Sequence, residues 1–360
     1  MKLVECIPNF SEGRDASKIK EITDSIESVD GITLLDVDPG SDTNRTVVTF
    51  IGNPEAVEKA AFLAIKTASK VIDMTQHEGA HSRIGATDVC PFVPIKDFSD
   101  KDCIQLSKNV AKRVGDELNI PIYLYEKSAK KKYRSSLPDI RKGEYENLSE
   151  KLNDPKWKPD YGPRKFNAKV GATIIGSRDF LIAYNINLNT KDKRLATDIA
   201  FEIRESGRSK RIPNPKSSNL LDGQIVRNPD GSPVKIPGMF KDVKAVGWYI
   251  DTFKQAQISI NFNNYKVSTI HDVFDAACRL AEQRGLRVTG SELVGLVPKE
   301  ALLMAGKHYL KKQNKSLGVP EDDIIDTAIM SLGLNDVVSF DSDQKIIENV
   351  IRIKGELSSS

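Results

Sequence analysis

Apolar positions fall into two blocks along the chain, and both blocks run through the same order of strand-like and helix-like spacing. In the first, an apolar run at 3–7 predicts a strand, and Ala16, Ile19, Ile22 and Ile26 recur at helical spacing to make one stripe. Strand patterns follow at 32–37 and 46–51. Asn53-Pro54 then offers an N-cap and a proline suited to the first helical turn, opening a helix with Val57, Ala61, Ala64, Ile65 and Ala68 inward that ends near Ile72. A strand at 89–95 closes the block.

The second block has a strand at 180–186, a helix with Leu195, Ile199, Ala200 and Ile203 on its apolar side, and strands at 245–250 and 257–262. A helix with Val273, Ala276, Ala277 and Leu280, ended by Gly285, and an apolar run at 286–296 complete it. Both blocks read β-α-β-β-α-β, the split βαβ order of a ferredoxin-like unit. The predicted fold is therefore α/β (α+β), with two ferredoxin-like subdomains at 1–178 and 179–360. Their facing sheets are expected to enclose a substrate groove, because helices cover only one face of each sheet. The second subdomain carries an excursion at 208–239, rich in proline and glycine and turned at Asn228-Pro229-Asp230-Gly231. Helices at 299–310 and 322–331 and a disordered Ser358-Ser359-Ser360 are expected beyond it.

Composition narrows the function classes. The chain has 360 residues, enough for two ordinary cores, and 39% hydrophobic residues without a long apolar run, which predicts neither a membrane span nor a leader. Cys6, Cys90, Cys103 and Cys278 are widely spaced and make no CxxC, so free thiols in a reducing cytoplasm are expected. A net charge of +3 is too small to argue for nucleic acid, and the basic runs at 127–134 and 208–211 read as solvated surface.

Chemistry concentrates at 77–92, where His77, Glu78, His81, Arg83 and Asp88 stand among the glycines Gly79 and Gly85. Histidine can give and take a proton near neutrality. His77-Glu78-Gly79-Ala80-His81 also satisfies H-E-x-x-H, the zinc-hydrolase pattern. That pattern needs a continuing helix to hold both ligands, and Gly79 and the strand that follows oppose one. The bland alternative is that both histidines are ordinary loop residues. Between the blocks, 151–170 is dense in proline, lysine and aromatics. Trp157 and Tyr161 fit either sheet packing or a segment crossing the groove, in which Arg164, Lys165 and Lys169 face an anionic ligand.

Several of these stretches carry a resemblance. Val4-Glu5-Cys6-Ile7-Pro8-Asn9-Phe10-Ser11-Glu12-Gly13, Leu34-Leu35-Asp36-Val37-Asp38, Asn44-Arg45-Thr46-Val47, the histidine loop through Phe92, Tyr161-Gly162-Pro163 and Gly247-Trp248-Tyr249 resemble, in order, the glutamate formiminotransferases. The resemblance implies transfer of a formimino group from N-formimino-L-glutamate to tetrahydrofolate as co-substrate, in histidine degradation, by a homodimer; the loop geometry predicts that no metal is used. A cyclodeaminase is then expected as a separate partner. The resemblance places the catalytic histidine on His81. It places the folate-binding segment on Gly162, Pro163, Arg164, Lys165, Phe166, Asn167, Ala168, Lys169, Val170 and Gly171. Ser82 stands where many relatives have proline, and the excursion at 208–239 is longer than expected.

For those substrates the chemistry assigns further roles. The attacking folate nitrogen loses a proton and the departing glutamate nitrogen gains one, so a single base that becomes an acid serves both steps. Asp38 is expected to pair with the cationic formimino group. Arg45, Arg83 and Lys165 are candidates for the substrate carboxylates. The rival readings are a formyl-transferring relative, a non-catalytic folate binder and the zinc hydrolase.

Overall fold

The computed structural model describes residues 2–357 apart from 42, 80, 218 and 219, so the tail expected at 358–360 lies outside the described residues. The chain divides into two compact units, one running to Asp179 and one spanning Phe180–Glu356.

The first unit begins β1 (Leu3–Cys6), β2 (Asn9–Phe10), α1 (Ala16–Glu27), β3 (Ile32–Gly40), β4 (Arg45–Gly52), α2 (Pro54–Val71) and β5 (Thr87–Lys96). The Asp15 carboxylate accepts from the amides of Ser17 and Lys18 and so starts α1; Asn53 does the same for α2 through Ala56. β4 lies between β3 and β1, and β5 flanks β1 on its other side, every pair antiparallel. This is the ferredoxin-like order. Val4, Cys6, Phe50 and Phe92 from the strands meet Val57, Ala61 and Ile65 of α2 in one buried core.

The unit is larger than the repeat predicted. α3 (Asp100–Leu118), β6 (Ile122–Leu124), α4 (Leu137–Arg141), α5 (Leu148–Asn153) and β7 (Thr173–Ser177) follow, with β7 parallel to both β5 and β6, giving a seven-stranded sheet. The segment 151–170 belongs to this unit. Tyr161 bridges to Ile122, and Trp157 packs edge-on against Tyr123 and Tyr133 at 6.2 and 6.0 Å, so these two aromatics pack within the unit. The basic run at 127–134 is not all solvated surface. Arg134 is only 2% exposed, pairs with Asp160 at 2.8 Å and donates to the Lys158 carbonyl, because a buried guanidinium needs such partners.

The second unit repeats the order with β8 (Ile182–Leu188), α6 (Lys193–Ile203), then the short pairs β9 (Arg208–Ser209) with β12 (Lys235–Ile236) and β10 (Arg211–Ile212) with β11 (Gln224–Ile225). β13 (Val243–Ile250), β14 (Gln255–Phe262), α7 (Ile270–Glu282) and β15 (Val288–Val294) complete it, in the antiparallel order β13-β14-β8-β15. The excursion is tied to α6 by Arg208, which pairs with Asp198 and Glu202 beside Arg284. α8 (Lys299–Lys312) and α9 (Glu321–Leu332) match the expected helices. Their close packing requires Gly306, where a Cβ would lie 2.0 Å from the Ile324 carbonyl oxygen. α10 (Ser342–Lys345) and α11 (Ile347–Leu357) were not foreseen. All four cysteines are unpaired thiols, and no described helix is long and apolar enough to cross a membrane.

Candidate functional site

After α2 the chain makes one tight turn at Met74–Gln76, capped by Asp73, and His77 leaves it in extended conformation. His77, Glu78, Gly79 and His81 are therefore not helical, which removes the geometry a zinc hydrolase needs. His77 is buried and structural. Its Nε2 donates to the Asn44 carbonyl at 2.8 Å, and its Nδ1 accepts from Nε of Arg83 at 3.2 Å. Asn44 holds the loop in two further ways, donating to the Glu78 carbonyl and accepting from the Gly13 amide, both at 2.9 Å. Its φ of 47° lies in the left-handed region, which asparagine tolerates better than most residues.

Further along, residues 84–86 are clamped on both sides. Ser11 donates through its hydroxyl to the Gly85 carbonyl and through its amide to that of Ala86. On the other side the Ala86 amide donates to Val170, the Ala172 amide donates to Ile84, and Gly85 bridges to Gly171. The segment 162–171 thus runs alongside the histidine loop within one unit. Gly162 has φ +76° and sits against the Ile120 carbonyl. Arg164 donates to the carbonyls of Leu152 and Asn153, Lys169 to that of Lys70 at 2.8 Å, and Phe166 rests on Tyr145. Pro163 is half-buried and Val170 buried, while Lys165, Asn167 and Ala168 are exposed.

His81 is half-buried against the Arg45 guanidinium, with that of Arg141 acting on it through space. Its Nδ1 donates to the Ser82 carbonyl at 2.7 Å, leaving Nε2 to accept from Nη1 of Arg45. Burial above all, then Arg45 and Arg141, hold its pKa down to about 3, because both cations oppose a charge on the ring. Arg45 is itself pulled down to about 10, by burial first and then by Arg141. Arg141, at the end of α4, donates to the fully buried Asp88, whose other oxygen accepts from the Ile84 amide at 3.0 Å. Asp88 and Asp38 act on Arg45 through space. Asp38 is exposed and lies within β3 opposite Val47, not in a turn.

The structure thus brings His81, Arg45, Arg141 and Asp88 together, with the segment 162–171 alongside. Arg83 it places elsewhere in role: its guanidinium is held by Glu146 at 2.6 Å, Glu144 at 3.2 Å and His77, so its fork is occupied inside the protein and is not presented to a carboxylate. Ser82, at the position where proline is common, donates to Glu144 at 3.2 Å. Arg141 was missed by sequence reasoning, since nothing in its surroundings along the chain marks it.

Among the described residues, one group brings metal-ligand atoms close: His271, Asp272 and His308 of the second unit, within 4.8 Å of one another. The two rings stack at 4.4 Å, with Nε2 of His271 on Thr269 and Nε2 of His308 on Asp275.

Two ferredoxin-like units, the first bearing a charged histidine loop, define a two-subdomain protein in which one subdomain holds the candidate chemistry. Residues 3–178 match the model of the Formiminotransferase domain, N-terminal subdomain, and residues 183–352 match that of the Formiminotransferase domain. The chain belongs to the formiminotransferase family. It is 44% identical over 352 residues to the formimidoyltransferase-cyclodeaminase of Dictyostelium discoideum, covering 98% of this chain and 60% of that protein. It is 39% identical to the glutamate formimidoyltransferase of Streptococcus pyogenes serotype M1, covering 87% of this chain and 95% of that one. With the glutamate formimidoyltransferase of Thermoplasma acidophilum the identity is 40%, over 86% and 93% of the two chains. The chain spans 60–61% of the length of the bifunctional relatives from Dictyostelium discoideum and Mus musculus.

Proposed function

We infer that this chain is a glutamate formimidoyltransferase, which moves the formimino group of N-formimino-L-glutamate to tetrahydrofolate and yields 5-formimidoyltetrahydrofolate and L-glutamate in histidine degradation. The observation that carries this reading is the 39–40% identity to relatives of that name over 93–95% of their lengths. The chemistry of the loop supports it. The attacking nitrogen of tetrahydrofolate bonds to the formimino carbon and passes its proton to Nε2 of His81, the ring atom left after Nδ1 is fixed on Ser82. His81 then returns that proton to the glutamate nitrogen as the carbon–nitrogen bond breaks. Asp38 pairs with the cationic formimino group.

Residues 162–171 hold the folate, with exposed Lys165 toward its glutamyl carboxylates. Arg45 receives a substrate carboxylate; Arg83 is left out, because Glu144 and Glu146 occupy it. The mechanism uses tetrahydrofolate as a co-substrate and routes no step through a metal. The reading extends to a cytoplasmic homodimer whose product passes to a separate cyclodeaminase. The test is to incubate the purified protein with tetrahydrofolate and N-formimino-L-glutamate and follow the products by mass spectrometry. Formation of 5-formimidoyltetrahydrofolate with an equal amount of glutamate is expected. Folate binding without transfer, or transfer only from N-formylglutamate, would replace this reading with one of its rivals.

A further inference from the structure

The Nε2 lone pair of His81 is the atom on which the proposed proton transfer depends, and in this structure it is already engaged. Nδ1–H is committed to the Ser82 carbonyl at 2.7 Å, and Nη1 of Arg45 donates to Nε2. An imidazole so occupied accepts no proton from a nucleophile until the guanidinium leaves.

Arg45 has reason to leave. Among the described residues it has no carboxylate in contact. Of the acids that act on it, Asp88 has one oxygen on the Ile84 amide and the other on Arg141, and Asp38 acts only through space from β3. Arg45 is at the same time desolvated and beside a second guanidinium, that of Arg141. A partly buried, desolvated cation with no carboxylate in contact among the described residues, bearing a planar fork of donors, is suited to receive a carboxylate.

We propose that Arg45 is a carboxylate-operated latch on His81: a carboxylate of the incoming amino acid or of the folate glutamyl tail takes the guanidinium's donors, Arg45 turns from the ring, and Nε2 becomes available to the nucleophile. The inference rests on the transferase reading of this site and gives it an order of events. The charges facing His81 act in the same sense. They are Arg45 from β4 and Arg141 from α4, the latter compensated by Asp88 of β5, with Glu144 reaching the adjoining Ser82 hydroxyl at 3.2 Å. Neutralising Arg45 removes the larger of the two cationic influences on the ring, so the base gains proton affinity at the moment a substrate is seated. Binding energy from a remote carboxylate is thereby converted into reactivity at the base.

The test follows the His81 ring nitrogens by two-bond nitrogen–proton NMR through a pH titration, aided by the presence of only four histidines. In the free protein His81 should stay neutral across about pH 5–8. Saturating L-glutamate or folic acid should raise its midpoint by about one unit or more. A response to L-glutamate assigns the latch to the amino-acid carboxylate. A response to folic acid but not to pteroic acid, which lacks the glutamyl tail, assigns it to the folate. Arg45→Gln should raise the midpoint without any ligand and abolish the further response. The proposal is overturned if His81 in Arg45→Gln titrates as in the wild type, or if wild-type His81 ignores both ligands while the protein still transfers the formimino group. A wild-type midpoint that rises with L-glutamate or folic acid in a protein that forms no 5-formimidoyltetrahydrofolate would instead remove the transferase reading and leave the latch standing. The wild-type titrations decide the matter if the variant does not fold.

Discussion

Gly85 and Gly171 face each other across an isolated antiparallel bridge, so close that a Cβ on Gly85 would lie 2.2 Å from the Ala172 carbonyl oxygen and one on Gly171 2.3 Å from that of Ile84. The bridge fastens the histidine loop to the segment assigned to folate. Gly171 also has φ +72°, which side chains with a Cβ adopt at a cost of about 1–2 kcal/mol. Gly171→Ala should therefore destabilise the protein by about 2–4 kcal/mol, the backbone term plus the displacement of Ile84. Urea unfolding reads the loss, and turnover measured well below the transition should fall with it. Unchanged unfolding would mean that the bridge does not hold the two segments together.

The two histidines of the loop should separate by phenotype. His81→Ala should cut turnover by about 10²-fold or more while folate affinity and melting temperature stay near the wild type. His77→Ala should do the reverse. It removes the partners of the Asn44 carbonyl and of Arg83 in a buried setting, for a loss of about 1–3 kcal/mol, with turnover within a few-fold. An exchange of the two phenotypes would move the base to His77.

Within 162–171 the two lysines should also part. Lys165 is exposed and makes no ion pair among the described residues, so Lys165→Ala should weaken a polyglutamylated folate more than a monoglutamate. Lys169 is anchored on the Lys70 carbonyl near the end of α2, and Lys169→Ala should lower stability with little discrimination between the two folates. Equal losses of both ligands in Lys165→Ala would show that this lysine does not see the tail.

Metal removal tests the mechanism from another side. Elemental analysis should find far less than one zinc per chain, and a chelator should leave turnover unchanged. The cluster of His271, Asp272 and His308 makes a control necessary, because adventitious zinc could settle there. Any such zinc should disappear in His308→Ala with turnover intact. Zinc that survives this substitution and is lost together with activity would restore a metal-dependent reading of the loop.

The parts legible in the sequence were those with local causes. Asn53-Pro54 announces α2, and the spacing of Val273, Ala276, Ala277 and Leu280 announces α7, because caps and stripes act over a few residues. α3 carried such a signal and could have been found: Ser99 caps it through Asp102, and Cys103, Leu106, Val110 and Val114 form its buried stripe. Arg141 could not. Its place beside His81 depends on the long-range pairing with Asp88, and α4 is a five-residue helix without a pattern of its own. Arg83 looked like a free carboxylate fork because Glu144 and Glu146, far along the chain, were not visible as its partners.

The doubled strand order permits a comparison inside the molecule itself. Between its second helix and its last ferredoxin-like strand, the first unit spends residues 72–86; at the matching place the second unit crosses with residues 283–287 alone. The shorter passage shows that the architecture closes without the longer one, so the length of 72–86 is not a demand of the scaffold. The scaffold and the loop it carries are thus separable parts: the one closes by itself, and the other is extra chain laid along its edge.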